Sequence, residues 1–414
     1  MSRSARLEAA LLVLWLTLPC AAASELGGFK PAGNLKSARY LHTATRLPDG
    51  RVLVVGGRGI DGTTELDSVE VYEPAQNRWV PGPKLSAGRS GHTATLLFDG
   101  RVLVTGGTSH EASSEGNRFV ARDTVELFDS KANQWRAGAS MLQSRNWHTA
   151  TLLDDGRVLV VGGAREQKSH LATAELYDPT TDRWTAVGSL AQSRCLHQAV
   201  KLTDGTVLVV GGRSNQSGFE PGGPDGGMAQ RPHGGSQGAA GFGSPIASAE
   251  VWSVDGGWTT LNEPVDPRQR HALVMLPGGR AMVVGGATRT GLTNLVELWM
   301  PDAGAWVLPE HSLSLGLGSH TATALEGGDV LVVGGEPPNS VDTPRAQRFD
   351  AAGQRWCLAG ELRASRKQHT ATLLPNGKVL VVGGVSAGIS ESSAELWEMR
   401  KGKCEEPPGP SLEW

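Results

Sequence analysis

A Gly-Gly pair closes a short apolar run seven times along this 414-residue chain: Gly56-Gly57, Gly106-Gly107, Gly162-Gly163, Gly211-Gly212, Gly285-Gly286, Gly334-Gly335 and Gly383-Gly384. Successive pairs are 50, 56, 49, 74, 49 and 49 residues apart. A histidine precedes each pair by 14 residues: His42, His92, His148, His197, His271, His320 and His369. A block of fixed length recurring at a near-constant period marks stacked supersecondary units rather than one large domain. Glycine numbers 55 residues, where average usage would give about 29. That excess calls for many tight turns and argues against a helical protein.

Each unit reads as four strands, A to D. Strand A follows the histidine, as in His92 to Leu97. A two-residue turn comes next: Asp49-Gly50, Asp99-Gly100, Asp155-Gly156, Asp204-Gly205, Gly278-Gly279, Gly327-Gly328 or Asn376-Gly377. Asp-Gly and Asn-Gly suit a type I′ hairpin, in which both central residues take positive φ. Strand B is an aliphatic run ending at the Gly pair. Strand C ends in an aromatic residue: Tyr72, Phe128, Tyr177, Trp252, Trp299, Phe349 or Trp397. Strand D opens with Trp79, Trp135, Trp184, Trp258, Trp306 or Trp356. Four short strands every ~50 residues, packed face to face about an axis, make a β-propeller.

The Gly doublet, the strand C aromatic and the strand D Trp resemble kelch repeats, over about residues 29 to 404. The resemblance implies an all-β, seven-bladed propeller of four-stranded blades and, with the leader described below, a secreted bacterial kelch-type protein. Units fall at about 38–87, 88–143, 144–192, 193–266, 267–315, 316–364 and 365–404 of a domain spanning 24–404, followed by a 405–414 tail. The seventh unit has Cys404 in place of its strand D Trp, while Phe29, Leu35 and Arg39 repeat the spacing that elsewhere follows a strand D Trp. Residues 29–35 are therefore expected to supply the fourth strand of the last blade. Pairing the chain ends would close the ring and remove open sheet edges.

Residues that recur in every unit read as structural. Seven equivalent histidines would be spread around a ring, and zinc needs three or four ligands at about 2.0–2.1 Å, so no metal is expected there. Each imidazole is expected to bond backbone near the start of strand A. Arg39, Arg89, Arg145, Arg194, Arg268 and Arg366 stand three residues before a histidine, and Glu70, Glu126, Glu175, Glu250, Glu297 and Glu395 open strand C. Unit six lacks both, with Leu317 and Gln347 instead. The joint loss predicts an Arg–Glu pair inside each of the other blades. The Gly pairs lack the G-x-x-x-x-G-K-[ST] form of a phosphate-binding loop.

Functional residues are sought where the repeat varies. The B–C and D–A connections share one face, and two B–C loops are long: Thr108 to Asp123, and the Gly-, Pro-, Ser- and Gln-rich Arg213 to Ser248. Loops on a constant scaffold carry function disproportionately. Between the repeated Arg and His stand unrepeated dipeptides, among them Tyr40-Leu41, Asn146-Trp147, Cys195-Leu196, Gln269-Arg270 and Lys367-Gln368. Just past the Gly pairs lie Arg58, Arg165, Arg213, Arg289 and Glu336. The candidate ligand-binding set is Tyr40, Arg58, Asn146, Trp147, Arg165, Arg213, Arg270, Arg289, Glu336 and Lys367. Aromatic residues and Arg anchor interfaces, and Arg clamps carboxylate or sulfate bidentately.

At the N-terminus, Arg3 and Arg6, the apolar run Leu11 to Leu18 and Ala21-Ala22-Ala23 follow the order of a secretory signal peptide. Residues 1–23 are expected to be removed on export, to a secreted, periplasmic or cell-envelope location. A rival assignment lipidates Cys20, against which Pro19 is a poor fit. Of the remaining cysteines, Cys357 and Cys404 are paired here as a candidate disulfide pinning the tail, and Cys195 is left free. Net charge is −3, from 39 basic and 42 acidic residues, so nothing marks a nucleic-acid partner.

Kelch propellers are mostly binding platforms, so the resemblance implies a monomeric, non-enzymatic scaffold without cofactor, recognising a protein or glycan through the loop face. The alternative is a carbohydrate-active enzyme of the sialic acid mutarotase type. Galactose oxidase is also similar in its kelch units, but its copper site takes two Tyr, two His and a Tyr–Cys crosslink. Only Tyr40, Tyr72 and Tyr177 exist here, two of them at the strand C position.

Overall fold

The computed structural model describes residues 28–113, 116–166, 169–214, 244–262, 264, 266–338, 342–399, 404–405 and 407. The leader with Cys20, the centre of the fourth unit's insert and the last residues of the tail lie outside this set.

Seven four-stranded antiparallel sheets form seven blades. Blade one runs from the inner strand A, Thr43–Arg46, through B, Val52–Val55, and C, Val69–Glu73, to the outer strand D, Arg78–Pro81. Blades two to six repeat the order. In blade seven, Thr370–Leu373, Val379–Val382 and Ser393–Glu398 supply strands A to C, and Gly28–Asn34 is the outer strand. Phe29 stands opposite Trp397 and Gly28 opposite Glu398. The first and last described strands thus share one sheet.

The core is divided among the seams between blades. At the seam of blades seven and one, Ala32, Leu380 and Val382 pack with Val52, Val54 and Tyr72. Six further clusters repeat this arrangement around the ring. Strand B is fully buried in every blade, which explains its unbroken aliphatic run. A strand between two packed faces has no solvent side to alternate toward. Tryptophans staple neighbouring blades: Trp79 Nε1 donates to the Ala32 carbonyl, and Trp135, Trp184, Trp258, Trp306 and Trp397 each donate to a carbonyl of the preceding blade.

The Gly pairs are needed at the same seams. The first glycine of each pair has φ near +60°, and a Cβ there would lie 2.4–2.7 Å from the backbone oxygen of the next blade's Arg, or of Leu317. The second donates its N–H to that same oxygen, as Gly57 does to Arg89 at 2.9 Å. Any side chain would push two blades apart.

The hairpin turns differ from expectation. Asp49, Asp99, Asp155, Asp204 and Asn376 do not take positive φ; only the following glycine does. Gly50 N–H donates to Leu47 and Leu47 N–H to Arg51, giving a three-residue loop with glycine in the left-handed region. The Asp carboxylate is used instead to accept the backbone N–H two residues on, as Asp49 does from Arg51.

The histidines also depart from expectation, since their partners are hydroxyls of the adjacent blade. His92 Nε2 meets Thr43 Oγ1 at 3.0 Å, and His148, His197, His369 and His42 meet Thr93, Thr149, Thr321 and Thr370 in the same way. His271 and His320 have no such partner, because Gln198 and Ala272 stand where Thr belongs. Gln198→Thr and Ala272→Thr are expected to stabilise the protein by about 1 kcal/mol each, the worth of a buried hydrogen bond. Urea melts measure this, and no gain at either position would show that the Thr–His bonds contribute nothing.

Each predicted Arg–Glu pair forms. Arg39, Arg89, Arg145, Arg194 and Arg366 lie 2.5–2.8 Å from Glu70, Glu126, Glu175, Glu250 and Glu395, and Arg268 pairs with Glu297. All six guanidinium groups are fully buried. Each Arg also donates to the carbonyl of the first glycine of its Gly pair. Strand C, strand B and the incoming D–A segment are tied by one side chain. In blade six, Gln347 accepts from the Ser314 N–H in place of the carboxylate.

Cys357 and Cys404 form the expected disulfide, 47 residues apart. It holds the tail against strand D of blade six, where Leu358 N–H donates to the Glu405 carbonyl. In the chain-entropy account, closing a loop of that size contributes about 4 kcal/mol. Among the described residues, no helix is long and apolar enough to cross a membrane.

Candidate functional site

Alternating strand directions put the Gly pairs, the B–C loops and the D–A segments at one end of the channel. There the residue after each repeated Arg, or after Leu317 in blade six, forms a backbone bridge with the residue after the Gly pair. The pairs are Tyr40 with Arg58, Ser90 with Thr108, Asn146 with Ala164, Cys195 with Arg213, Gln269 with Ala287, Gly318 with Glu336 and Lys367 with Val385. These bridges bring the two candidate stretches together in every blade.

The next residue faces the axis in a conformation that sequence reasoning missed. Leu41, Gly91, Trp147, Leu196, Arg270, Ser319 and Gln368 all have φ between 49° and 60°. This left-handed backbone costs a non-glycine residue roughly 1–2 kcal/mol. It is held by bonds from blade to blade. Leu41 N–H donates to Gln368, Gly91 to Leu41, Trp147 to Gly91, Leu196 to Trp147, Ser319 to Arg270 and Gln368 to Ser319, at 3.0–3.4 Å. The mouth is therefore ringed by backbone-to-backbone bonds. Only glycine at 91 makes room for the Trp147 indole, whose Nε1 lies 2.9 Å from where a Cβ would be.

Polar side chains gather in three groups around this ring. Between blades one and two, Glu65 is almost buried and binds Arg58 at 3.3 Å, His110 Nδ1 at 2.6 Å and the Ser90 hydroxyl at 3.4 Å. The Arg58 guanidinium stands 6.0 Å from the centre of the Tyr40 ring. His110 lies on a hairpin, Thr108–Ser113 with Gly116–Ala121, built from the long B–C loop of blade two. Between blades five and seven, Glu336 bridges Arg270 at 3.3 Å and Lys367 at 3.4 Å, and Lys367 also reaches the buried Asp342 at 3.2 Å.

Blades two to four hold the third group. Asn146 is buried and donates to the Thr108 hydroxyl at 2.6 Å. It is a positioning residue in the wall rather than an open contact. Cys195 Sγ lies 3.4 Å from His170 Nε2. Burial pushes the Cys195 thiol up to about 12. Burial, and then the Arg213 charge, pull His170 down to about 4. A neutral thiol beside a neutral imidazole is not an activated nucleophile.

Of the ten candidate residues, Tyr40, Arg58, Trp147, Arg213, Arg270, Glu336 and Lys367 are at the mouth and partly exposed, and Asn146 is beneath it. Arg165 and Arg289 are exposed on B–C loops, Arg165 on the same short hairpin as His170. Glu65, His110, His170 and Asp342 were not anticipated. They lie in loops of unequal length, where no repeat register assigns a residue to the mouth.

The sequence matches the family described as the KLHDC2/KLHL20/DRC7 Kelch-repeats domain over residues 19–212. No curated protein matches the chain. Among solved structures, it is similar to a novel fungal alcohol oxidase of the AA5 family in complex with copper. Identity is 16% and the TM-score 0.67, over 90% of this chain and 76% of that one. It is also similar to YjhT, with 13% identity and a TM-score of 0.56, over 78% of this chain and 98% of that one. At such identities the likeness is one of fold. The residues present do not fit a copper site of the galactose oxidase kind. The Tyr72 and Tyr177 hydroxyls are spent on Asn77 and Asp182 in the C–D turns, at the opposite end of the blades from Tyr40. With the Gly pairs and aromatic positions placed in seven equivalent blades and the Arg–Glu ties in six of them, this chain folds as a seven-bladed β-propeller whose first half matches a Kelch-repeats family.

Proposed function

We propose that this propeller is an exported, non-enzymatic binding scaffold that takes a protein or glycan partner on the B–C/D–A face. One observation carries the reading. Most side chains that recur from blade to blade are consumed by contacts within or between blades, whereas Tyr40, Arg58, Trp147, Arg213, Arg270, Glu336 and Lys367, which do not recur, stand partly exposed beside the B–C and D–A segments. Trp147, Tyr40 and the mouth arginines are the residue types that dominate binding energy at interfaces. The Cys357–Cys404 disulfide supports an oxidising compartment, in keeping with the leader.

Glycan arrays and capture from envelope extracts, run with the intact protein and with Trp147→Ala, test the proposal. An aromatic anchor contributes about 2 kcal/mol or more, so the variant is expected to lose at least roughly 10-fold in affinity for whatever the native protein retains. Equal retention would remove this face as the binding surface.

A second reading, a carbohydrate-active epimerase, rests on the Glu65–His110 contact. A carboxylate on Nδ1 fixes the imidazole tautomer and orients the ring for proton transfer. Its test is catalysed anomer exchange of sugars, followed by NMR.

A further inference from the structure

At the outer rim of the ring, a blade seam is closed by the C–D turn of the following blade. Where blades two and three meet, Arg101 at the start of strand B donates to the Pro179 carbonyl at 3.3 Å. Asp182, three residues on in the same turn, accepts from the Ala139 N–H at 3.1 Å and from Arg136 at 3.3 Å. Arg51 reaches the Ser130 carbonyl at 3.5 Å where blades one and two meet. In blades one, two, three, five and six, six residues separate the strand C aromatic from the strand D Trp, as between Tyr177 and Trp184. In blade four only five separate Trp252 from Trp258.

The seam of blades three and four shows what the shorter turn leaves. Asp182 has no counterpart in blade four, and Thr185 stands where blade two has Arg136. Arg157, the equivalent of Arg101, is left with Asp155 of its own turn. Among the described residues the Gly188 N–H, the equivalent of that of Ala139, has no acceptor. What remains is a groove of about 490 Å³, with Arg157, Arg183, Thr185, Gly188, Trp252 and Val254 on its lining. Its apolar members run from the buried Trp252 to the exposed Val254.

The groove keeps the donors of a turn seat and lacks the acceptors. One seam earlier, Pro179 supplies a carbonyl and Asp182 a carboxylate to the equivalent donors. Bonds in which one partner is ionised are the stronger ones. Asp178, the carboxylate on the lining, is held by the Thr180 N–H and hydroxyl, and among the described residues Arg183 beside it has no ion-pair partner. The charge and the open donors both favour an acidic chain segment.

We propose that the groove between blades three and four docks an acidic peptide turn of a partner protein. The turn presents a backbone carbonyl to Arg157 and, three residues later, an Asp or Glu carboxylate to the Gly188 N–H. Trp252 and Val254 cover the apolar atoms between them. This surface lies on the outer rim and stands independently of the channel mouth.

The test uses the full-length protein and two probes, acetyl-Asp-Pro-Thr-Thr-Asp-amide and the same peptide with Asn as its last residue. Ligand-observed NMR is expected to show the first binding at least roughly 10-fold more tightly, the weight of a hydrogen bond to a charged group. Arg157→Gln is expected to weaken it by a similar factor. Replacing Ser253–Gly257 with the six residues that stand between Tyr177 and Trp184 rebuilds the missing turn. That graft is expected to abolish binding without lowering the melting temperature, which separates a filled groove from a misfolded protein. Binding of neither peptide, equal binding of both, or full binding by the folded graft would overturn the site. Displacement of the peptide by maltose would give the groove to a sugar. A dimer in sedimentation that the graft dissolves would give it to a second copy of the chain. Either result would also overturn the proposal.

Discussion

Acidification is expected to unfold this propeller cooperatively between about pH 6 and 4.5, through the histidine ring. All seven imidazoles are buried and held neutral. Burial, reinforced by neighbouring Arg charges, pulls His92, His197 and His369 down to about 3. Burial, opposed by backbone hydrogen bonds to Val284 and Leu317, takes His320 to about 4. His42, His148 and His271 are also held well below their usual value, first by burial and then by Arg39, Arg145 and Arg268. In the unfolded chain each titrates near 6.5. The unfolded state therefore takes up protons first as pH falls. The stability is complete above about 6.5 and is lost on descending from that value toward the folded-state values. Each site costs about 1.4 kcal/mol per pH unit in that window, so seven together cost roughly 10 kcal/mol per unit. Domains of ordinary stability, about 5–15 kcal/mol, do not survive much more than one unit of this. Tryptophan fluorescence and circular dichroism followed against pH measure the transition. A native spectrum retained at pH 4 would mean that the imidazoles gain protons without leaving their sites.

The second large effect concerns the Arg–Glu ties, for which the sixth blade has already made the control. Removing one partner of a buried ion pair leaves an uncompensated charge and costs about 3–5 kcal/mol. Arg145→Leu strands Glu175, and Glu175→Gln strands Arg145, so each is expected to destabilise by that amount. The double variant reproduces the Leu317 and Gln347 that blade six uses without loss of its fold. It is expected to cost much less than the two single changes together. Denaturant melts of the three proteins close the cycle. Single changes of under about 1 kcal/mol, or a double change equal to their sum, would show that the pairs do not act as units.

The blade plan was legible because it repeats. A Gly pair with histidine at a constant offset can be found by counting, and Arg paired with Glu showed itself through joint loss in unit six. Detail that depends on how one blade meets the next was not legible. The Thr partners of five histidines lie in the preceding blade, about 50 residues away or, for His42, at the far end of the ring in Thr370, so nothing local names them. Asp-Gly reads equally as a type I′ turn or as the end of a three-residue loop, and the extra residue before Asp decided for the second. The left-handed ring was hidden for another reason. Leu41, Trp147 and Arg270 have no preference for positive φ, and only Gly91 hinted at it. Blade-to-blade bonding overrides the local cost. That the B–C and D–A connections share one end of the blades followed from the strand order, but Glu65, His110 and Asp342 reach that end through loops that share no register.

The blade made from both chain ends has a kinetic meaning. Gly28 cannot gain its neighbour Glu398 until all seven blades between them have been made. Contacts so distant in sequence are the slowest to form. A nascent chain would carry six assembled wedges and an unfinished one, with the early segment still seeking its place. Any step that must act on a pliable, incompletely locked polypeptide has its opportunity in that interval, and seating of Gly28–Asn34 brings it to an end.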